Sequence, residues 1–268
     1  MDVSLQPAQQ AIPPPADTTA TVEIPQYRRR AIVAIWAAAA LPMGTLAWLV
    51  APALAGQFAG DGGVPMAKAL FASLAVGLAW QFVLVLVLVR REQGTLRWSV
   101  LRDALWLRSP RSPRSGRVGG RLWLLLIPLI VLFAAEGLLP DLFTVPASHD
   151  MMTFLGSDAG QSFFSGNWFW FGFVVVQLLL NTVLGEELLF RGFLLPRMNG
   201  AFGRGDWLAN GVLFAAYHLH MPWSMLVQLA DTVVLAYPTK RYRSAWIGIA
   251  VHSAQSVAIA VILLTVVV

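Results

Sequence analysis

The sequence predicts an all-α, polytopic transmembrane helix bundle of about seven spans, with a polar site inside the bundle. Three observations carry that expectation. Mean hydropathy is +0.65, and hydrophobic residues make up 57% of the chain against 12% charged, the balance of an integral membrane protein. Apolar runs near the roughly 20-residue length needed to cross hydrocarbon recur along the chain. Lysine and arginine also gather in alternate loops, the charge asymmetry that sets membrane topology.

Residues 1–26, with Pro-Pro-Pro at 13–15 and Ala, Thr and Gln around it, read as a disordered cytoplasmic tail. Residues 27–268 form one integral membrane domain. Its expected spans are 31–55, 65–89 and 122–139. A fourth covers 168–184 and continues helically toward Arg197. Shorter ones follow at 207–218 and 223–237, and the last runs 245–268.

Arg28, Arg29 and Arg30 precede the first span, residues 90–121 hold nine arginines, and Lys240, Arg241 and Arg243 lie before the last. Loops 56–64 and 140–167 contain neither lysine nor arginine. The N-terminus is therefore expected in the cytoplasm and the C-terminus outside, most simply in a bacterial cytoplasmic membrane. Within residues 93–108, Leu96, Trp98, Leu101, Leu105 and Trp106 interleave with Arg97, Arg102 and Arg108, which predicts an amphipathic helix on anionic lipid. The Ser-Pro-Arg repeat after it reads as a flexible basic loop. The net charge of +5 is thus accounted for by the bilayer and gives no reason to invoke nucleic acid. With no cysteine in the chain, cysteine proteases and thiolate-bound zinc are excluded.

Chemistry is signalled at Glu186-Glu187-Leu188-Leu189-Phe190-Arg191. The preceding stretch, 169–184, is free of charge, and ionisable groups at membrane depth are costly enough to mark function. At about 1.5 Å per residue, Glu186 lies roughly 16 Å before Arg197, His218 roughly 18 Å beyond Asp206 and His252 roughly 13 Å beyond Arg243. Three helices thus carry polar groups at one depth. A carboxylate with two imidazoles could hold a divalent metal such as zinc, leaving a position for water. Without a metal, the carboxylate could take a proton from water while a histidine stabilises an oxyanion. The His-Glu-x-x-His helix of common zinc proteases is absent. Arg191, four residues after Glu187, can pair with it along one face, which leaves Glu186 for chemistry and Glu187 with Arg191 for support. Spacing alone leaves the reverse assignment open. Phe214 is one turn before His218 and is expected to orient that ring. Asp231, inside the sixth span with Gln228 one turn earlier, has no motif. It also opens a transporter reading with Glu186 and Asp231 as proton carriers, although the paired interrupted helices of inverted repeats are missing.

Glu-Glu-x-x-x-Arg at 186–191, Phe-x-x-x-His at 214–218 and the late His252 together resemble the CPBP family, the CAAX prenyl protease and bacteriocin-processing group of intramembrane peptidases. The likeness covers residues 181–257 within a CPBP-like core at about 168–268. It implies an eight-helix bundle that cleaves peptide or membrane-protein substrates near the cytoplasmic face. Glu186 would activate water, His218 and His252 would be its partners, and Arg191 would be a structural support. Glu186, His218 and His252 would be the ligands if a metal is bound. One position departs: the family has Asn or Asp four residues after its last histidine, where this chain has Ser256. A hydroxyl still donates a hydrogen bond but reaches less far than an amide. Gln255 has the amide but points about 100° away on a regular helix. Ser256 therefore also keeps open a non-catalytic immunity, scaffold or regulatory protein of the same fold.

Overall fold

Five helices are long and apolar enough to cross a membrane. They occur in a computed structural model that describes residues 22–138 and 143–268. They are α1 (Arg29–Ala55), α2 (Val64–Gln93), α4 (Gly120–Leu138), α7 (Trp168–Arg197) and α10 (Ala245–Val267). Between them lie a short α3 (Trp98–Ala104) and a pair, α5 (Met151–Gly156) and α6 (Asp158–Phe164). The two short expected spans become α8 (Asp206–Tyr217) and α9, a π turn (Thr232–Ala236) running into Tyr237–Tyr242. Twelve residues of α8 rise only about 18 Å, well short of the ~30 Å hydrocarbon core. The stretch between α8 and α9 is irregular, with short turns at Pro222–Ser224 and Val227–Ala230. No strand occurs among the described residues, only an isolated bridge between Arg111 and Val118.

The basic segments collect at one end of the bundle, tied by polar contacts. Arg197 is fully buried, and its guanidinium forks onto Glu92 at 2.6–3.1 Å while its Nη1 donates to the carbonyls of Ala104 and Phe193. Tyr27 donates to the same carboxylate, and its backbone N–H to Arg197 O. Lys240 pairs with buried Asp206, so α8 and α9 start and finish together. The Arg111 N–H donates to Tyr242 O and the Ala245 N–H to Trp106 O. The Ser-Pro-Arg loop is therefore docked on the bundle through Arg111.

The expected amphipathic helix over 93–108 shrinks to α3. Gly94 and Arg97 break the chain before it, and Trp106 adopts φ 52° just after it. Leu105 and Leu107 turn into the main core while Leu96 and Trp98 stay exposed, so only part of the segment is free to meet lipid. On its exposed edge, hydrogen bonds from Arg108 and Arg102 hold the Asp103 carboxyl down to about 2. Of the expected N-terminal tail, residues 1–21 lie outside the described residues. Val22 packs on the core, and Gln26 joins Pro196 O and the Gly200 N–H.

At the other end, Asp150 and Ser157 cap α5 and α6 by accepting from the backbone N–H groups of Thr153 and Gly160. These caps turn Phe154 and Phe164 onto Phe71 of α2, forming a second, aromatic core. Among the described residues, the expected loop over 140–167 is thus largely two packed helices.

Candidate active site

The segment bearing the two glutamates departs from regular α-helix: Leu180–Leu194 of α7 winds as a π-helix with i→i+5 bonding. Such turns are rare, usually brief, and concentrate at functional sites. Gly185 makes this winding feasible, since a Cβ there would stand 2.8 Å from Leu180 O. Asn210 of α8 then bonds its buried amide to Phe190 O at 2.8 Å, fastening the segment to its neighbour. Every side chain from Gly185 through Leu194 is buried.

His218 ends α8 rather than lying within it. Its backbone leaves the helix at ψ 44°, and its Nδ1 meets Phe214 O at 3.0 Å. A carbonyl only accepts, so Nδ1 carries the proton and Nε2 points onward. Two tryptophans of α1 fix this end, with Trp36 donating to Leu213 O and Trp48 to Leu219 O, both at 2.8 Å. His252 comes from α10. Its Nδ1 is 3.2 Å from Glu187 Oε1.

The two Nε2 atoms face the two oxygens of one carboxylate. His218 Nε2 is 3.8 Å from Glu186 Oε1, and His252 Nε2 is 3.9 Å from Glu186 Oε2. Glu186, His218 and His252 are buried to 2%, 4% and 7% relative exposure, so solvent does little to weaken their mutual field. The separations exceed direct hydrogen-bond length, yet a water about 2.8 Å from both groups of either pair is geometrically admissible. Tyr217 and Asn181 also lie beside the Glu186 carboxyl, and Gln81 donates to Tyr217 Oη at 2.6 Å.

Glu187 and Arg191, expected as the supporting pair, approach to 3.4 Å with both side chains fully buried. Arg191 lies 3.9 Å over the Phe214 ring, whose edge contacts reach both His218 and His252. Phe214 therefore packs against three members of the constellation rather than one. Gly248 of α10 permits this closeness, because a Cβ there would be 2.3 Å from Glu187 Oε2.

The donor set of two imidazoles and a carboxylate suits zinc chemically, but its placement does not. Nitrogen–oxygen separations of 3.8 and 3.9 Å would force angles of about 130° at an ion bound at about 2.1 Å, where tetrahedral geometry asks for about 110°. Among the described residues, no group of three or more His, Asp or Glu is arranged to hold a metal.

Glu186, His218 and His252 open onto a cavity of about 700 Å³ that extends to residues 143–153, at the end away from the arginines. On α10 the cavity is lined by Gln255 and not by Ser256, which is buried. Sequence reasoning took Gln255 to point away on a regular helix and attached no role to Asn181, Asn210, Tyr217 or Glu136. Only Glu136, a lone acid inside an apolar run, carried a readable signal. Asp231, noted without a motif, lines the same cavity.

Comparison with known proteins bears on this arrangement. No match to the chain was found among curated proteins or among solved structures. Residues 167–258 match the family model described as type II CAAX prenyl endopeptidase Rce1-like, and this span includes the π segment, both histidines, Phe214 and Ser256. Over these residues the chain is accordingly similar to the Rce1-like CAAX prenyl endopeptidases, in keeping with the CPBP intramembrane peptidases that its motifs resemble.

Proposed function

We propose that the protein is an intramembrane endopeptidase in which Glu186 activates water for attack on a peptide bond. One observation carries this reading: both Nε2 atoms of His218 and His252 face the oxygens of Glu186, on a cavity large enough for several residues of an extended peptide. Glu186 accepts a proton from water, and the resulting hydroxide attacks the carbonyl carbon. The Nε2–H of His252, in its doubly protonated form, donates to the developing oxyanion, His218 offers its unprotonated Nε2 to the water as an acceptor, and the proton held by Glu186 passes to the departing amine. Glu187 accepts from His252 Nδ1 and offsets the positive charge on that ring as it donates. No step needs a metal.

The basic end of the bundle, where Arg197, the arginine loop and Lys240 meet, is assigned to the cytoplasm. The N-terminus then lies on the cytoplasmic side of a bacterial cytoplasmic membrane. The site sits in the cytoplasmic half, and substrate reaches it along the cavity.

Ser256 favours a second reading, a non-catalytic membrane protein with immunity, scaffold or regulatory roles. Turnover of a peptide panel by the reconstituted chain separates the two. Glu186→Ala and Glu186→Gln should lower the rate by on the order of 10⁴-fold or more while folded yield holds, because an uncompensated buried charge seldom stabilises. A wild-type phenotype of Glu186→Ala in cells would favour the scaffold.

A further inference from the structure

The peptidase reading leaves two carboxyls of the cavity without a role. Glu136, near the end of α4, and Asp231, at the start of α9, line it together with the catalytic residues. Their side chains are within hydrogen-bonding reach of each other. Asp231 is 3% exposed and close enough to the centre to interact electrostatically with Arg191 and His252. Glu136 Oε1 and Asp231 Oδ1 have no protein hydrogen-bond partner among the described residues.

Two independent features show what such a pair would accept. Gln177, on α7, is 5% exposed, lines the same cavity, and leaves its Oε1 unpaired. The unpaired carboxyl and amide oxygens are thus all acceptors, and a buried acceptor without a donor is costly. The lining also contains Glu136, Asp150, Glu186 and Asp231 but no lysine or arginine, in a chain whose net charge is +5. Of its histidines, His149 has its pKa lowered by burial and adds no charge at neutral pH. A cationic donor is the complement of this surface, and a lysine ammonium brings three donors and an arginine guanidinium five.

We propose that Glu136 and Asp231 form a substrate subsite that takes the side chain of a lysine or arginine near the scissile bond. The inference rests on the peptidase reading and narrows it to peptides carrying a basic residue beside the cleavage position. Two carboxyls in contact at membrane depth cannot both ionise when empty, so one of them keeps a proton. An incoming cation displaces that proton and pairs with both carboxylates, so a basic side chain is selectively favoured over a neutral one.

The test uses the full reconstituted chain and N-acetylated peptides, so that no terminal ammonium competes. The peptides differ only in lysine, norleucine or glutamate at each position flanking the cleaved bond. Wild type should prefer lysine to norleucine at one position by about 100-fold in kcat/KM, the scale of a desolvated charge pair. In Asp231→Asn and Glu136→Gln that ratio should collapse toward one. A purely structural role for the pair would slow both peptides and leave the ratio standing, which would overturn the proposal, as would a wild type indifferent to lysine. A binding arm needs no turnover: a fluorescent lysine peptide should bind Glu186→Gln and lose affinity when Asp231→Asn is added. Lysine-selective binding without hydrolysis by wild type would keep the subsite and remove the peptidase reading. Hydrolysis without lysine selectivity would do the opposite.

Discussion

His252 Nδ1 lies 3.2 Å from Glu187 Oε1, deep inside the bundle, while the Nε2 of the same ring faces Glu186. One carboxylate thus holds the Nδ1 edge of the imidazole whose Nε2 edge faces the other. Glu187 also lies against Arg191, 3.4 Å away, with both side chains fully buried. Its removal therefore has two separable consequences.

Glu187→Ala should lower both folded yield and turnover. Stranding the Arg191 charge costs roughly 3–5 kcal/mol, and a freely turning His252 loses its aim. Arg191→Ala strands Glu187 in turn and should behave alike. The double change Glu187→Ala with Arg191→Met removes the stranded charge, so folded yield by size-exclusion chromatography should recover while turnover stays low. Recovery of both would mean that Glu187 serves the fold alone.

Much of this site was legible in the sequence because the cost of charge in hydrocarbon leaves a trace in composition. Glu186, Glu187 and Arg191 after an uncharged run, and His218 and His252 inside later apolar segments, needed only helix rise to be placed at one depth. That estimate assumed regular α-helix, and the structure brings the three catalytic candidates together although 180–194 is wound as a π-helix. The winding had no visible cue beyond Gly185. Which face α10 presents was not legible either: the expectation for Gln255 rested on an ideal 100° step without knowledge of neighbours. The amphipathic pattern over 93–108 misled because Leu105 and Leu107 are apolar for the protein core rather than for lipid. Alternation of apolar and basic residues cannot distinguish those two environments.

Gly248→Ala tests the packing of α10 on α7. The new methyl would stand 2.3 Å from Glu187 Oε2, 3.2 Å from Arg191 Cγ and 3.3 Å from Thr239 Oγ1. Overpacking of this kind costs about 1–3 kcal/mol, and here it pushes directly on the residue that aims His252. A lower melting temperature in detergent should accompany a loss of turnover. An unaltered rate would show that Glu187 does not need its present position.

Gln255 and Ser256 compete for the role of the amide that the family places after its last histidine. Gln255 lines the cavity, so Gln255→Ala should slow turnover by about 10-fold, less than the roughly 10²–10³-fold of a fully aimed oxyanion donor. Ser256→Ala should change little. Ser256→Asn restores the longer amide and should hold or raise the rate. A gain in Ser256→Asn that is unaffected by also adding Gln255→Ala would place the donor at position 256 and leave Gln255 as lining only.

Topology can be tested cleanly because the chain has no cysteine. Single cysteines at Ser112 and Ser115 report on the arginine loop, and at Ser148 and Ser165 on the opposite end. The arginine loop is docked to α9 and α10 through Arg111 to Tyr242 and Ser244 to Arg108, so these segments share one side of the membrane whichever side that is. With nine arginines over 90–121 against none over 140–167, that side is expected to face the cytoplasm. In intact cells a membrane-impermeant maleimide should therefore label positions 148 and 165 and spare 112 and 115 until the membrane is opened. The reverse pattern would invert the bundle and place the cavity's far end, at residues 143–153, in the cytoplasm. The site would then lie in the half of the membrane away from the cytoplasm, and cleavage near the cytoplasmic face would be ruled out.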